Sequence, residues 1–387
     1  MLTDEALYTE DDLALPDPGA PIEGRAARAD RYPIVVTRSL DRTAACVEEL
    51  VDGRSVGLVT DATVQALHGR AFLGALDEVG IVPDVAVVPA GETSKTLEHA
   101  ARLWDWLAAG TLGRRDVLVT FGGGVVNDLG GWVAAGYMRG MPYVNVSTTL
   151  VGQVDAAVGG KLAVDHREAK NLIGGFHQPL GVVSNVGFLA TLDDRNVRAG
   201  LAETIKKAIV ASPSYWDFIE EHADALLARE PDALERLVEA AGAIKAELIA
   251  RDPYEHDSRR TLGFGHALAH PIETVTGYGP VLHGEAVSLG MVVEARMAHA
   301  RGLLGTDDLE RIVRLLRRVG LPTAAAHLPV PIDGDALLRA TEKIRLARGG
   351  ALRWVLPLGL GRTAIVDSVE ETELRAALGA CGIATGS

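Results

Sequence analysis

The chain has 387 residues, 48% hydrophobic and 23% charged, with a net charge of −14. That length exceeds one ordinary core and predicts two domains of a compact soluble protein. The acidic balance argues against nucleic acid or an anionic membrane surface as partner, but a small anionic substrate can still bind where basic residues gather locally.

Residues 1–31 read as an acidic, poorly ordered extension that opens MLTDEALYTEDDLALPDP and carries Pro16, Pro18 and Pro21. It lacks the basic and apolar regions of a signal peptide, and no run of 18 apolar residues predicts a membrane span. Cys46 and Cys381 lie far apart with no CxxC, which predicts a reducing, cytoplasmic setting.

From residue 32 to about 190 short β-branched runs (YPIVV, SVGLVTD, PDVAVVP, DVLVTFGGG, YVNVSTT) alternate with longer helical patterns. That alternation predicts an α/β domain: a Rossmann-like, mostly parallel sheet with helices on both faces. From 191 to 387 the pattern changes to long helices, among them RAGLAETIKKAIVA, PDALERLVEAAGAIKAELIARD and HGEAVSLGMVVEARMAHARGLL. The second domain is therefore expected to be α-helical.

Candidate site residues follow the same order. Asp61 ends a strand, where an acid serves either as a ribose-hydroxyl acceptor or as a helix N-cap. Glu92 and Lys95, in GETSK, open the next helix from the sheet's carboxyl edge. Gly122-Gly123-Gly124 and Asp128 stand at a strand-to-helix turn, which suits either a phosphate at the helix N-terminus or a tight turn with no ligand; GxGxxG is absent. The stretch YMRGMPYVNVSTTLVGQVDAAVGGKLAVDHREAKNLIGGF carries Arg139, Thr148, Thr149, Asp155, Lys161, Lys170 and Asn171 among small apolar residues. Charges in a part expected to be buried predict either an anionic, phosphate-bearing ligand or an internal ion-pair network.

In the helical half, Glu203 and Lys206 are three apart and share a helix face. Lys245 and Arg259 lie upstream of LGFGHALAHPIETVTGYGPVLHGEAVSLGM, where His266 and His270 share a face and His283 opens another helix. Two or three imidazoles and one carboxylate suit a catalytic divalent metal with a position left open. The motif is not HExxH, because Ala267 follows His266.

Together, FGGGVVND, YMRG, TTLVGQVDAAVGGK, EAKNLIGGFHQP, GLAETIKKAIV and FGHALAH…LHGEAVSLGM resemble the sugar phosphate cyclase superfamily, whose best-known branch is 3-dehydroquinate synthase. The resemblance spans roughly residues 32 to 370. It implies a zinc or cobalt ion on Glu203, His266 and His283. It implies NAD on Asp61, Glu92, Lys95, Gly123, Gly124, Asp128, Thr148, Thr149 and Lys170. Substrate contacts would come from Arg139, Asp155, Lys161, Asn171, Lys206, Lys245, Arg259 and His270, with Lys161, Lys206, Lys245, Arg259 and His270 catalytic. A homodimer is implied. So is a reaction of transient NAD oxidation, phosphate elimination, re-reduction, ring opening and aldol closure to a carbocycle, a lyase in net terms.

The departures point to a branch. Dehydroquinate synthases typically read LNFGHTFGHAIE, whereas this chain has LGFGHALAHPIE with Gly263 in place of Asn. Their C-terminal DKK is replaced by KIRLARGG, with Lys343 and Arg345 as the remaining cations. Fewer polar groups suit a substrate without a carboxylate, such as sedoheptulose 7-phosphate. The 2-epi-5-epi-valiolone synthases typically carry Asp at position 263, so the expected branch is 2-epi-valiolone synthase. The alternatives are 2-epi-5-epi-valiolone synthase, 3-dehydroquinate synthase or its amino variant, an iron-dependent NAD alcohol dehydrogenase, and a non-catalytic relative.

Overall fold

Short apolar runs and amphipathic helices alternate to build a parallel sheet in the first half of the chain. The computed structural model describes residues 31–166, 169–254, 261–347, 350 and 352–386. Its first elements are β1 (Ile34–Thr37), α1 (Leu40–Val51), β2 (Val56–Asp61), α2 (Ala62–Val64), α3 (Arg70–Glu78), β3 (Asp84–Val88), α4 (Leu97–Ala109), β4 (Val117–Gly122), α5 (Gly124–Gly136) and β5 (Tyr143–Ser147). A hairpin of β6 (Lys161–His166) and β7 (Ala169–Phe176) follows, then β8 (Gly181–Asn185). The six strands outside the hairpin pair in parallel in the order β1-β8-β5-β4-β2-β3.

Strands β4, β5 and β8 are buried along their whole length, and β2 up to Asp61, which is why they read as apolar runs rather than alternating ones. Alternation still sorts their side chains between two layers. Val117, Val119 and Phe121 of β4 pack with Phe72 and Leu76 of α3, while Leu118 packs with Leu103 of α4 and Leu129 of α5. Chain direction across the sheet reverses at β2, with β3 on one side and β4 on the other. Such a switch point opens a crevice at the strands' carboxyl ends.

The second half holds α6 (Asp194–Ala211), α7 (Pro213–Leu227), α8 (Pro231–Ala250), α9 (His266–Val275), α10 (His283–Ala300), α11 (Thr306–Arg318), α12 (Gly334–Ala347) and α13 (Glu371–Ala380). Asp193 caps α6 through the Asn196 amide at 2.9 Å, and Ser212 caps α7 with Pro213 at its first position. Trp216, Phe264 and Met291 are wholly buried in this half's core. Leu150 and Val154, just after β5, belong to the same core and carry the sheet's carboxyl edge into it. Val154 itself lies on a π-helical turn, Gly152–Ala156. No helix among the described residues is long and apolar enough to cross a membrane.

The expected plan of a Rossmann-like domain followed by a helical one is present, with two corrections. The C-terminal half is not wholly helical: β9 (Trp354–Gly359) and β10 (Arg362–Val366) form an antiparallel hairpin. The expectation that the charged residues of the 139–171 stretch are buried also fails in part. Arg139 is exposed on the turn that follows α5, and Lys161 and Asn171 are exposed because β6 and β7 form a two-stranded ribbon outside the main sheet.

Candidate active site

Close helix packing brings the metal-ligating candidates together. A Cβ on Gly284 of α10 would lie 2.0 Å from the Ala199 carbonyl oxygen of α6. One on Gly290 would lie 2.1 Å from the Gly265 carbonyl oxygen, at the turn that opens α9. Only hydrogen fits at either place, so α10 seats directly against α6 and against the start of α9. Ligand atoms of Glu203, His266 and His283 consequently lie within 4.8 Å of one another. The two Nε2 atoms are 3.8 Å (His266) and 3.4 Å (His283) from Glu203 Oε1.

The other nitrogen of each imidazole faces an acceptor. His266 Nδ1 is 3.1 Å from the Phe264 carbonyl oxygen, and His283 Nδ1 is 3.2 Å from Glu273 Oε2. Acceptors there favour N–H at Nδ1, so Nε2 is the nitrogen each ring would give to a metal, in the case of His283 with loss of the proton it otherwise holds there. Glu203 is wholly buried, with Lys206 Nζ 2.5 Å from its Oε2 while its Oε1 faces the two Nε2 atoms. A buried carboxylate oxygen facing two such imidazoles fits a divalent cation, and this donor set suits zinc or cobalt. His270 falls outside the triad. Its ring centroid is 5.5 Å from that of His266 and 6.2 Å from that of His283.

Burial does not act on the three members alike. Burial disfavours ionised Glu203, but Lys206 and the imidazoles outweigh it and hold the carboxyl well below its usual range. Burial and then Lys206 push His266 well below the usual imidazole value. His283 goes the other way: burial lowers it, but Glu273 and Glu203 prevail and lift it to about 10.

A second buried cluster adjoins the first. Asp155, on the π-helical turn, accepts from Lys207 Nζ at 2.8 Å and lies 3.1 Å from Lys245 Nζ, which also donates to the Asp155 carbonyl oxygen at 2.6 Å. Burial works against ionised Asp155, but Lys207 and Lys245 hold it well below the usual carboxylate range. Lys206, Lys207 and Lys245 are all buried, with Glu203 and Asp155 as their carboxylate partners. Three ammonium groups against two carboxylates leave positive charge for an anion. Lys207 escaped the sequence reading. Its signal was the doubled lysine of ETIKKAIV, in a helix that is otherwise apolar there.

The residues expected at the cofactor collect at the carboxyl ends of neighbouring strands. Gly123 caps α5 without a side-chain bond, so the first-turn amides face outward. Thr148 Oγ1 is buried and without a hydrogen-bond partner, and Thr149 packs against Gly123. An open helix N-terminus beside an unsatisfied hydroxyl at the switch point fits a dinucleotide's pyrophosphate. Lys95 is buried and donates to Asp128 Oδ2 and Asn171 Oδ1, each at 2.5 Å. Asp61 caps α2 through one carboxylate oxygen, Oδ1, which accepts the Thr63 and Val64 amides at 2.8 and 3.0 Å.

The β6–β7 hairpin links the two sides. Lys170 Nζ lies 3.1 Å from Glu92 and 3.2 Å from Glu273, the carboxylate that also holds His283. Glu273 was also missed. It stands seven residues after His266 and three after His270, so HALAHPIE places all three on one face of α9. Arg139 sits exposed on a turn where Met138 and Arg139 adopt φ of 48° and 67°. Such conformations cost energy away from glycine and recur at functional sites. Lys161 opens β6 on the surface. Arg259 lies outside the described residues. Arg345 pairs with Glu342 at 2.6 Å and, with Lys343, lines a groove between α12 and α13 that contains none of the candidate residues.

Known proteins agree with this architecture. The 3-dehydroquinate synthase N-terminal family matches residues 85–199 and its C-terminal family residues 200–343. A 2-epi-valiolone synthase from Actinosynnema mirum is 49% identical over 95% of this chain and 96% of its own. A 3-dehydroquinate synthase from Desulforamulus reducens is 41% identical over 90% of this chain and 96% of its own. Among solved structures, the 2-epi-5-epi-valiolone synthase ValA of Streptomyces hygroscopicus subsp. jinggangensis 5008, with NAD+ and Zn2+ bound, superposes with a TM-score of 0.87. It is 32% identical and covers 93% of this chain and 99% of its own. The chain belongs to the 3-dehydroquinate synthase family of cyclases.

Proposed function

We propose that the protein is an NAD- and divalent-metal-dependent sugar phosphate cyclase. It converts sedoheptulose 7-phosphate to 2-epi-valiolone with loss of phosphate, a carbon–oxygen lyase in net terms. The observation that carries the reaction class is the buried group of Lys206, Lys207 and Lys245 beside the Glu203, His266 and His283 triad. A simple alcohol needs no such anion site, which weighs against the alcohol dehydrogenase reading.

Glu203, His266 and His283 would hold zinc or cobalt. Asp61, Glu92, Lys95, Gly123, Gly124, Asp128, Thr148, Thr149 and Lys170 would hold NAD. When bound, the metal supplies Lewis acidity toward adjacent hydroxyls and NAD supplies a transient hydride acceptor. The chain's own residues do the rest. Asp155, kept ionised by Lys207 and Lys245, accepts hydrogen bonds from sugar hydroxyls. Lys161, Lys206, Lys245, Arg139, Arg259 and Asn171 bind the phosphate and stabilise its departure. His270 holds the proton that the leaving oxygen needs on its imidazole nitrogen.

The branch rests on the 49% identity with a 2-epi-valiolone synthase and on Gly263. A Cβ at Gly263 would meet Val355 Cγ2 at 3.7 Å, an ordinary contact, so close packing does not by itself demand glycine there. We read residues 32–190 as the NAD-binding domain and 191–387 as the metal- and substrate-binding domain, since β8 ends at Asn185 and α6 begins at Asp194. The working form in this reading is a cytoplasmic homodimer, with Arg139 on its exposed turn reaching toward the partner.

The test is phosphate release by metal-loaded protein with NAD, on sedoheptulose 7-phosphate and on 3-deoxy-arabino-heptulosonate 7-phosphate in parallel, with NMR of the product. Release from the first alone, with the 2-epi-valiolone spectrum, is expected. Release from the carboxylated sugar alone would place the chain with the dehydroquinate synthases, as the 41% identity to one of them would then suggest.

A further inference from the structure

Glu273 is buried, and each of its two carboxylate oxygens meets a different basic side chain. Oε2 lies 3.2 Å from His283 Nδ1, and Oε1 lies 3.2 Å from Lys170 Nζ. Lys170 in turn sits 3.1 Å from Glu92 on the cofactor side. A carboxylate behind a ligating imidazole fixes its ring and tautomer and raises its basicity. A lysine gripping the far oxygen fixes the carboxylate itself, because a carboxylate held at both oxygens has little freedom to rotate.

We propose that Glu273 is a positioning residue of the metal site, acting through His283, and that Lys170 acts on metal affinity through Glu273. The inference rests on the reading that Glu203, His266 and His283 bind a divalent cation. Glu273 touches neither metal nor substrate. It aims His283 Nε2 at the position that Glu203 and His266 share. Lys170, assigned to the cofactor side, thereby gains a second task at the metal.

The readout is metal binding by the full chain rather than turnover. Zn2+ affinity is measured by chelator competition, and the ligand field by the visible spectrum of the Co2+ form. Glu273→Ala is expected to weaken Zn2+ by roughly 10- to 100-fold and to shift the Co2+ bands. Glu273→Gln keeps the volume and still accepts from Nδ1, so it preserves the fold and is expected to lose only several-fold. Lys170→Met is expected to weaken Zn2+ less than Glu273→Ala does, and to have no further effect in the Glu273→Ala background, the non-additivity of two residues acting in series.

Wild-type Zn2+ affinity in folded Glu273→Ala and Glu273→Gln would overturn the proposal, since a purely structural Glu273 would change melting and not metal affinity. A Lys170→Met loss that persists undiminished beside Glu273→Ala would overturn the part assigned to Lys170. Glu203→Ala separates the two levels. If it binds Zn2+ as the wild type does, the metal-site reading itself falls. If it loses Zn2+ while the Glu273 variants keep it, only the present proposal falls.

Discussion

Two glutamates in the helical half are equally buried, yet their carboxyls are driven in opposite directions. Glu203 on α6 and Glu294 on α10 are both wholly buried. Glu203 has Lys206 at 2.5 Å and two imidazoles beyond it, and its carboxyl stays well below the usual range against the pull of burial. Glu294 accepts the Gly265 amide at 2.9 Å and gains some further help from the Val355 amide. Burial prevails there and pushes the carboxyl well above its usual value. Burial alone therefore neutralises an acid, and a nearby cation is needed to keep one charged. Glu294 is a core group whose protonated form burial favours, and it ties α10 to the turn before α9. Glu203 behaves as a ligand in waiting.

The comparison breaks most visibly with paired substitutions. Glu203→Gln keeps volume and removes charge, so Zn2+ affinity should fall by more than about 100-fold and phosphate release should disappear. Glu294→Gln should leave both within a few-fold, because a neutral side chain replaces a neutral one. Equal losses would show that the two sites do not differ as described.

Lys207→Met tests the charged region next. Asp155 would keep Lys245 but lose a buried partner, and denaturant melts should show a loss of about 3 kcal/mol. A stability change near zero would mean that Lys207 contributes no net pairing energy.

The pH dependence of stability sharpens the neutral side. Native Glu294 keeps a proton that the unfolded chain releases, so its contribution is fully present below the ordinary carboxyl pKa of about 4.3. It is lost as pH rises toward the elevated folded value. Glu294→Gln escapes that loss. Its stability relative to wild type should improve with pH above about 4.3, by up to roughly 1.4 kcal/mol per unit, read from melts between pH 4 and 8. A gap that stays constant with pH would mean Glu294 is ionised in the folded state.

The smallest expected effect lies on the cofactor side. Thr148→Val removes the buried hydroxyl that has no partner in the chain. NAD affinity, by tryptophan fluorescence or calorimetry, should fall by about 5-fold, the worth of one hydrogen bond near 1 kcal/mol. Tighter NAD binding would show that the hydroxyl faces no ligand.

Local pattern alone determined much of this protein. Apolar runs of strand length between helical periods specified the parallel sheet, because strands covered on both faces have few polar positions to break the run. Helical spacing put Glu203 with Lys206 and His266 with His270, and the Gly-Tyr-Gly-Pro turn placed His283 at the start of α10. What pattern could not supply was distance across the fold. That His283 joins Glu203 while His270 stands aside depends on Gly284 and Gly290 letting α10 seat on α6 and α9. Lys207 and Glu273 were unremarkable charges in helices until packing set them against Asp155 and against Lys170 and His283. Lys206, three residues along the same helix, was a legible partner for Glu203, but the burial that acts on Glu203 and Glu294 alike, the imidazoles beside Glu203 and the Gly265 amide on Glu294 were decided only by tertiary structure. Ionisation in a protein interior is set by burial and by which groups lie within a few ångströms, and packing brings most of those groups from other elements.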